Sequence, residues 1–416
     1  MEDFRKLGIS KPILRAIEEE KFDEPSEIQE KSIPLILAGK DVIAGSATGS
    51  GKTLAFGSRI IQNSEKGAGI QALVLTPTRE LAEQVSKALK KFSKYHPIRV
   101  ISIYGGVSIN PQISGLRHAD IVVGTPGRIL DHMERRTIDF KKLKVLVLDE
   151  ADRMFDMGFA EDVQKIISQC PVKRQTLLFS ATIYDEIKHL AKKYMNHPVS
   201  ISAESNVDPS KLAQMYYDVP NSLKFSLLVH LLKNEKSHLV MVFCNTRKYV
   251  DFVGKNLKLN GIDALAIHGG FSQDKRTRVM EQFHSKKVFV LVCTDVAARG
   301  LDIKGISHIY NYDIPKDAKE YIHRIGRTAR AGKEGMAINL LSDRDHDNFS
   351  RVYNESETGI RKKKTPFLEK VRTVNVEDRQ RRGSFGHSRR GPSSQQRGRG
   401  SYGHHKPRGP PRHRRR

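Results

Sequence analysis

The stretch KVLVLDEADRMFDMGF, residues 144–159, joins an apolar run to a cluster of acids. Residues 145–148 are apolar and lead directly into Asp149 and Glu150. A short run of this kind is typical of a strand that is covered on both faces, as in a parallel sheet. Adjacent carboxylates repel each other and lose hydration when they are buried. We therefore expect a cation, or a reaction that needs a base, at the end of this strand.

Similar apolar runs recur along the chain, with helical patterns between them. They lie at 41–45, 72–77, 100–106, 121–126, 145–150, 176–182, 239–246, 264–270, 288–295, 308–314 and 335–342. Strands that alternate with helices indicate parallel sheets covered on both faces, and ligands bind at the carboxyl ends of such strands. We predict an α/β fold with two doubly wound parallel-sheet domains in tandem. The predicted boundaries are 1–205 for the first domain, 206–214 for a polar linker, 215–365 for the second domain and 366–416 for a tail.

The charge of the chain indicates a polyanionic partner. Its 416 residues carry a net charge of +25, which favours nucleic acid over a merely solvated basic face. Residues 379–416 contribute +13 of this charge, from twelve Arg and one Lys without any Asp or Glu. This segment has too little apolar surface to offset its ordering entropy, so we predict a disordered basic tail. Its sequence RGRGSYG, residues 397–403, resembles an arginine–glycine RNA-binding segment.

The cysteines and the hydropathy pattern indicate the cellular compartment of the protein. Cys170, Cys244 and Cys293 are scattered and lack CxxC spacing, which argues against a disulfide or zinc framework and for a reducing compartment. No apolar run has the length of a membrane helix, and the N-terminus lacks an apolar signal segment. We predict a cytoplasmic protein that has no membrane partner.

A phosphate-binding pattern follows the first apolar run. SATGSGKT, residues 46–53, approximates the P-loop pattern GxxxxGK[ST], with Ser46 in place of the first glycine. Glycines let backbone N–H groups face phosphate oxygens, Lys52 supplies positive charge, and Thr53 offers a hydroxyl to Mg²⁺. A glycine-rich turn without a ligand is the alternative. The predicted contacts to nucleotide phosphates are Thr48, Gly49, Ser50, Gly51, Lys52 and Thr53.

The P-loop suggests roles for the acids that end the later strand. Asp149 is placed to hold Mg²⁺ through its water shell, and Glu150 to orient and deprotonate an attacking water. Lys52 and the cation would then lower the cost of placing two carboxylates together. The alternative is that the acids only cap the following helix.

Three motifs together resemble the DEAD-box ATP-dependent RNA helicases: LDEAD at 148–152, the upstream P-loop, and SAT at 180–182. The order of motifs matches the family from Phe4 to Leu341, and only the tail lies outside it. The resemblance implies tandem RecA-like domains, ATP and Mg²⁺ as cofactors, and RNA as the partner. The implied activity is RNA-stimulated ATP hydrolysis that drives local duplex unwinding and RNA–protein remodelling.

KFDEPSEIQ, residues 21–29, resembles the adenine-reading motif of that family. The resemblance implies that Phe22 stacks on the base and that Gln29 reads its edge. Lys21 stands where glycine is usual. A capping box formed by Ser26 and Gln29 is the structural alternative, and both roles can hold together.

The resemblance also implies RNA contacts in both domains, through motifs that follow strands. Thr hydroxyls, backbone N–H groups and Arg suit phosphate contacts that position a strand without reading its sequence. Any one of these motifs alone could be an ordinary turn. In the first domain the residues are Pro77, Thr78, Arg79, Gly105, Gly106, Thr125, Pro126 and Arg128. In the second they are Thr246, Arg247, Gly269, Gln273, Arg276 and Thr294.

The second domain is also expected to complete the ATP site. The resemblance implies that Asp302 approaches the ribose and that Arg327 and Arg330 act as arginine fingers on the γ-phosphate. Ala329, between them, replaces a more usual glycine. Residues implied to couple the domains are Asp152, Ser180, Thr182 and His323.

Three other functions remain as alternatives. They are a P-loop ATPase that acts on DNA, a non-enzymatic RNA chaperone whose tail anneals strands, and a small-molecule kinase. The adenine motif and the DEAD sequence argue against the first, and the second domain lacks a recognisable acceptor pocket for the third. Nothing in the sequence indicates a particular RNA, protein partner or oligomeric state.

Overall fold

The computed structural model describes residues 1–45, 49–202, 211–235, 237–298, 303, 305–329, 334–355 and 359–375. Residues Met1–Val374 form one compact unit, and the separate unit Asn375–Arg416 is described only at Asn375. Within the first unit we call residues 1–202 the first lobe and 211–374 the second lobe.

The first lobe is built on a parallel sheet with strand order β3-β4-β2-β5-β6-β1-β7. Its strands are β1 (Val42–Gly45), β2 (Ala72–Leu75), β3 (Val100–Ile103), β4 (Ile121–Gly124), β5 (Val145–Asp149), β6 (Gln175–Ser180) and β7 (Val199–Ser202). Its helices are α1 (Glu2–Lys6), α2 (Lys11–Glu19), α3 (Glu27–Leu37), α4 (Lys52–Gln62), α5 (Arg79–Phe92), α6 (Asn110–Leu116), α7 (Pro126–Glu134), α8 (Ala151–Asp156), α9 (Ala160–Ser168) and α10 (Asp185–Tyr194).

The apolar runs become strands because helices cover both faces of this sheet. Alternate residues of one strand enter two different cores: Val147 packs in one, while Leu146 and Leu148 pack in the other. All five residues of β5 are buried. Burial on both faces explains the continuous apolar run, which a sheet with one wet face would replace by alternation.

The second lobe repeats the same topology, with strand order β10-β11-β9-β12-β13-β8-β14. Its strands are β8 (Leu212–Asp218), β9 (Leu239–Phe243), β10 (Ala264–Ile267), β11 (Val290–Cys293), β12 (Ile306–Asn311), β13 (Gly335–Leu341) and β14 (Arg361–Lys362). Its helices are α11 (Lys224–Asn234), α12 (Arg247–Leu259), α13 (Gln273–His284), α14 (Asp295–Ala298), α15 (Ala318–Ile325) and α16 (His346–Glu355), preceded by a 3-10 turn at Asp343–Asp345. Strand for strand, the two orders match, which confirms the predicted pair of doubly wound parallel sheets.

Two of the predicted boundaries differ from the structure. Strand β8 starts at Leu212, inside the segment predicted as linker at 206–214, and residues 206–210 of that segment lie outside the described residues. Residues 366–374, predicted as part of the tail, pack on the second lobe through Leu368 and Val371. The buried side chain of Asn256 bonds both the N–H and the C=O of Val374 at 2.7 and 3.1 Å.

These contacts explain the error at the second boundary. Leu368 and Val371 pack on the second lobe, and hydrogen bonds from Val371 N to Ser226 of α11 and between Val374 and Asn256 of α12 hold residues 366–374 in place. The rest of the predicted tail, residues 376–416, lies outside the described residues. Among the described helices, none combines the length and the apolar character needed to cross a membrane.

Candidate functional site

Sheet topology divides the predicted site residues of the first lobe into two groups. The P-loop follows β1, the DEAD sequence ends β5 and SAT ends β6, and these three strands are neighbours. The PTREL, GG and TPGR motifs follow β2, β3 and β4, which are neighbours on the other half of the sheet. We call the first set of motifs the ATP group and the second set the RNA group. Since the carboxyl ends of parallel strands share one edge of the sheet, the two groups lie side by side along that edge.

In the ATP group, the P-loop lysine meets the acids that end β5. Lys52 Nζ lies 2.8 Å from Asp149 Oδ1 and 3.8 Å from Glu150 Oε1. Lys52, Asp149 and Glu150 are all buried. Burial lowers the pKa of Lys52, but the two carboxylates outweigh this and raise its pKa overall, so the ammonium stays charged. The cluster of acids at the end of the strand therefore has the positive partner that the sequence required.

The charges around these acids also fit a divalent cation. Arg153 Nε lies 3.5 Å from Glu150 Oε2, so two cations face three buried carboxylates when Asp152 is included. Asp149 Oδ2 accepts no hydrogen bond from the described residues. The described residues also contain no cluster of three or more His, Cys, Asp or Glu that could hold a metal by itself. One available carboxylate suits Mg²⁺, which keeps several waters and binds through phosphates.

Glu150 occupies an unusual backbone conformation. Its φ is 52°, in the left-handed region, where a residue with a side chain is strained. The residue links the last strand residue, Asp149, to helix α8. This turn directs the Glu150 carboxylate back toward Lys52 and Arg153 rather than along the helix.

Gln29 of α3 connects the predicted adenine-reading segment to the P-loop. Its Oε1 accepts from Ser26 N at 2.9 Å, completing a capping box, and its Nε2 donates to Gly51 O at 3.0 Å. The Ser26 hydroxyl donates to Ser50 O at 2.6 Å. Two features favour glycine at position 51. Its φ is +92°, and a Cβ on it would stand 2.4 Å from Gln29 Nε2. The capping role is thus present, and the contact to adenine remains a prediction.

The structure also shows the surroundings of Phe22 and the backbone of Lys21 and Ala329, the two residues that stand where the family usually has glycine. Phe22 packs against Phe92, with ring centroids 6.2 Å apart, and is only partly buried. Lys21 has a φ of 57° and Ala329 a φ of 53°. Both positions carry the left-handed backbone that glycine adopts without cost, which explains why glycine is usual at them.

The residues predicted to couple the domains form a network at the end of β6. Asp152 Oδ2 accepts from Thr182 N at 3.0 Å and from Thr182 Oγ1 at 2.9 Å. Ser180 Oγ accepts from Asp152 N at 3.1 Å and donates to Thr182 O at 2.7 Å. These bonds tie the SAT segment to the first turn of the DEAD helix. From the second lobe, His323 lies close enough to Asp152 and Arg153 for their charges to act on it.

The RNA group faces a cleft between the lobes. Eight of the predicted RNA-binding residues line it: Pro77, Thr78, Arg79, Gly105, Thr125, Arg128, Gly269 and Arg276. Thr78 also caps α5 by accepting from Leu81 N, as does Thr246 for α12 from Tyr249 N. Gly106 has a φ of +81°, which favours glycine, and a Cβ on it would displace the Arg79 guanidinium, whose Nη1 would lie 1.9 Å away.

The remaining predicted RNA residues lie nearby but do not line the cleft. Pro126 begins α7, Gln273 begins α13, and Thr294 precedes α14 and accepts from Ala297 N. Gly269 packs near Arg247, since a Cβ on it would lie 3.5 Å from Arg247 Nη2.

Some predicted residues cannot be placed. Thr48, Asp302 and Arg330 lie outside the described residues. Arg327 is described, and it is buried. It lines a small cavity between the lobes together with His323, Arg324 and Arg153.

Comparison with known proteins identifies the family. The DEAD/DEAH box helicase model matches residues 26–190, and the helicase conserved C-terminal domain model matches residues 223–332. The DEAD-box ATP-dependent RNA helicase CshA of Geobacillus kaustophilus is 44% identical over 375 residues, which are 89% of this chain and 80% of that protein. The chain belongs to the DEAD-box ATP-dependent RNA helicase family.

Two solved structures resemble this helicase. Saccharomyces cerevisiae Dbp5 bound to RNA and ADP BeF3 is 33% identical, with a TM-score of 0.79 over 88% of this chain and 96% of that one. A DEAD box protein from Methanococcus jannaschii is 41% identical, with a TM-score of 0.54 over 87% of this chain and 99% of that one. The predictions of family, fold, and ATP-dependent RNA helicase function are confirmed, while the roles of individual site residues remain predictions.

The structure of the helicase adds residues that the sequence did not single out. One of them is Glu80, whose carboxylate forms an ion pair of 2.8 Å with Arg276 of the other lobe, a predicted RNA contact. Arg324 is buried and pairs with Asp295 through two contacts of 2.7 Å. Both partners lie within motifs, Glu80 in PTREL and Asp295 in TDVAARGLD, but only proximity in the fold distinguishes them from their neighbours.

Proposed function

We propose that this helicase binds ATP at the edge of β5, β6 and β1, and binds RNA along the edge of β3, β4 and β2, with the second lobe closing over both. The observation that carries the proposal is the cleft whose lining includes Arg79 and Arg128 of the first lobe and Gly269 and Arg276 of the second. A strand in that cleft contacts both lobes, so RNA binding favours the closed arrangement. The likeness to Dbp5 bound to RNA and ADP BeF3 extends over both lobes and supports a closed arrangement.

ATP binding favours the same arrangement in this proposal. The γ-phosphate would lie beside Lys52, and Arg327 would reach it from the second lobe. If ATP and RNA each favour closure, each must increase the affinity for the other by the same factor. The network of Asp152 and Thr182 ties the DEAD helix to the end of β6 beside the ATP site.

The chemistry assigns one task to each group. Lys52 neutralises charge on the transferred phosphate, and Glu150 orients the attacking water and accepts its proton. Asp149 and Thr53 would hold Mg²⁺, which supplies charge stabilisation to the phosphates when bound. Arg327, with Arg330, would stabilise charge that develops in the transition state. Neither lobe holds all of these groups, so hydrolysis depends on closure.

Unwinding follows from the shape of the closed cleft. A single strand held by contacts to its phosphates and 2′-hydroxyls must adopt the curvature of the cleft, and a duplex partner is then displaced locally. Contacts to 2′-hydroxyls also distinguish RNA from DNA. Hydrolysis removes the γ-phosphate that Arg327 holds and lets the lobes separate.

Two further proposals concern the chain as a whole. The basic residues of 379–416 would tether RNA without taking part in the chemistry, which their +13 charge supports. A cytoplasmic location is supported by Cys170, Cys244 and Cys293, which are all buried and unpaired.

The proposal is tested by comparing two substitutions in the ATP site. Glu150→Gln keeps the shape of the side chain and removes the base, so ATP and RNA should bind and the closed complex should persist without turnover. Lys52→Ala should weaken ATP binding itself. The measurements are nucleotide binding, RNA binding with ATP, and the RNA-stimulated rate of hydrolysis. Turnover by Glu150→Gln at the wild-type rate would remove Glu150 from the mechanism.

A further inference from the structure

Outside the motifs, one group of side chains joins the two lobes beside the ATP site. Lys319, in the first turn of α15, extends from the second lobe to the first. Its Nζ lies 2.8 Å from Asp156 Oδ1 at the end of α8, and 4.3 Å from the centroid of the Tyr184 ring. Lys319 is therefore held by a carboxylate on one side and an aromatic face on the other.

The first-lobe side of this contact leads directly to the DEAD motif. The Tyr184 hydroxyl donates to Asp152 O at 2.9 Å and lies 3.5 Å from Asp156 Oδ1. Burial and the charges of Asp156 and Asp152 raise the pKa of Tyr184, so its hydroxyl keeps its proton and remains a donor. Asp152 in turn holds Thr182 of SAT. One chain of contacts thus runs from α15 to the network that couples the ATP site.

Helix α15 gains no stability from having a lysine at position 319. A lysine in the first turn lies at the positive end of the helix dipole, where cations are disfavoured. Helix α15 is started instead by Asp317, whose side chain accepts from Glu320 N at 2.8 Å. The local sequence therefore gives Lys319 no stabilising role, and its contacts lie on the other lobe.

Helix α15 also carries Lys319 close to residues that are predicted to act at the ATP site. His323 is one turn further along α15 on the same face, and Arg327 follows the end of the helix. A contact that fixes the first turn of α15 against α8 thereby limits how His323 and Arg327 can approach the first lobe.

We propose that Lys319, Asp156 and Tyr184 form an interlobe latch that stabilises the closed state and positions α15 over the ATP site. Lys319 is a positioning residue here, since it touches neither phosphate nor the attacking water. The inference rests on the closure proposed above. About a third of each charged side chain is exposed, 36% for Lys319 and 28% for Asp156, so solvent screens the pair and its effect is modest.

The latch predicts a nucleotide-dependent effect on RNA affinity. Lys319→Ala should lower the affinity for a short single-stranded RNA about 3- to 10-fold when a non-hydrolysable ATP analogue is bound, because the latch exists only in the closed state. Without nucleotide the affinity should change less than about twofold. Lys316→Ala is the matched control, since Lys316 is an exposed lysine of the same segment and its removal changes the net charge equally.

Two further variants separate the latch from a general loss of charge. Lys319→Asp combined with Asp156→Lys restores an ion pair with reversed polarity and should recover most of the affinity that either single change loses. Tyr184→Phe keeps the ring that faces Lys319 and removes the hydroxyl bond to Asp152. It should lower the RNA-stimulated hydrolysis rate more than it lowers RNA affinity. A residue with a merely structural role would not produce this split.

The experiment is fluorescence anisotropy of labelled RNA with the full chain, with and without the ATP analogue, followed by ATP hydrolysis at saturating RNA. If the analogue does not raise the RNA affinity of the wild type, the proposed closure fails. If the wild type shows that increase and Lys319→Ala behaves like Lys316→Ala, closure stands and the latch is refuted. A reversed pair that recovers no affinity likewise refutes the latch.

Discussion

Replacing Arg324 by lysine tests whether this residue fixes helix α15 to the rest of the second lobe. All five N–H donors of Arg324 are used: Nε and Nη2 bond the two oxygens of Asp295 at 2.7 Å each, and Nη2 also bonds Asn245 Oδ1 at 2.7 Å. Nη1 donates to Asn311 Oδ1 at 3.2 Å and to Asp313 O at 2.6 Å. One side chain thereby joins α15 to α14 and to the segments that end β9 and β12.

The cost of Arg324→Lys follows from the count of donors. A lysine has three donors on one nitrogen, so at least two of the five acceptors lose their partner. Hydrogen bonds to charged groups contribute about 1.5–3 kcal/mol each, which gives a loss of about 3–6 kcal/mol in the second lobe. For a domain of this size such a loss lowers the midpoint of thermal unfolding by about 10 °C. The ATPase rate should fall as well, because α15 carries His323.

The assay is thermal unfolding followed by circular dichroism, together with hydrogen exchange of peptides from the second lobe. Exchange should accelerate in α14, α15 and the end of β12, and stay unchanged in the first lobe. Arg351→Lys, at an exposed position of α16, is the control and should unfold like the wild type. Equal unfolding temperatures and equal exchange for Arg324→Lys and the wild type would refute the reasoning.

Three further predictions concern the base, the tail and pH. If Phe22 and Gln29 read adenine, RNA-stimulated hydrolysis of ATP should exceed that of GTP, and equal rates would contradict this. A chain that ends at Asp378 should bind RNA with a log–log salt slope that is flatter by about four units, because each phosphate neutralised by the tail contributes about 0.7 units and about half of the tail charges engage. Its ATPase rate at saturating RNA should stay unchanged. Burial and then the charge of Arg153 lower the pKa of His323 from 6.5 to about 4, so the closed arrangement should be fully stable above pH 6.5 and weaken as the pH falls toward 4. RNA affinity with an ATP analogue should follow that profile, and His323→Gln should flatten it.

Much of the fold could be predicted from the sequence because the apolar runs along the chain coincide with the strands that the structure buries. Strand β5 is an apolar run in the sequence and is buried at every residue in the structure. The acids that end it lie beside Lys52, as their charge required. The departures at Lys21 and Ala329 were visible from the resemblance, and the structure gives their physical basis in positive φ values.

Contacts between distant residues could not be read in the same way. Lys319 and Asp156 are 163 residues apart, and neither carries a local signal that names the other. The four residues that Arg324 bonds, Asp295, Asn245, Asn311 and Asp313, come from three segments that only the fold brings together. The boundary predicted at residue 366 missed the docking of residues 366–374, because that docking depends on Asn256, more than a hundred residues earlier.

The central claim is that one ATP site is completed by both lobes, and the RNA-stimulated hydrolysis rate of Arg327→Ala tests it most directly. The wild type should hydrolyse ATP faster with RNA than without it. Arg327→Ala, alone and with Arg330→Ala, should lower the rate at saturating ATP and RNA by roughly 10³-fold or more while ATP affinity changes only a few fold, since an arginine finger acts mainly in the transition state. Arg351→Ala should leave both quantities unchanged. A loss of less than a few fold in the rate from both finger substitutions together would contradict a site shared between the lobes.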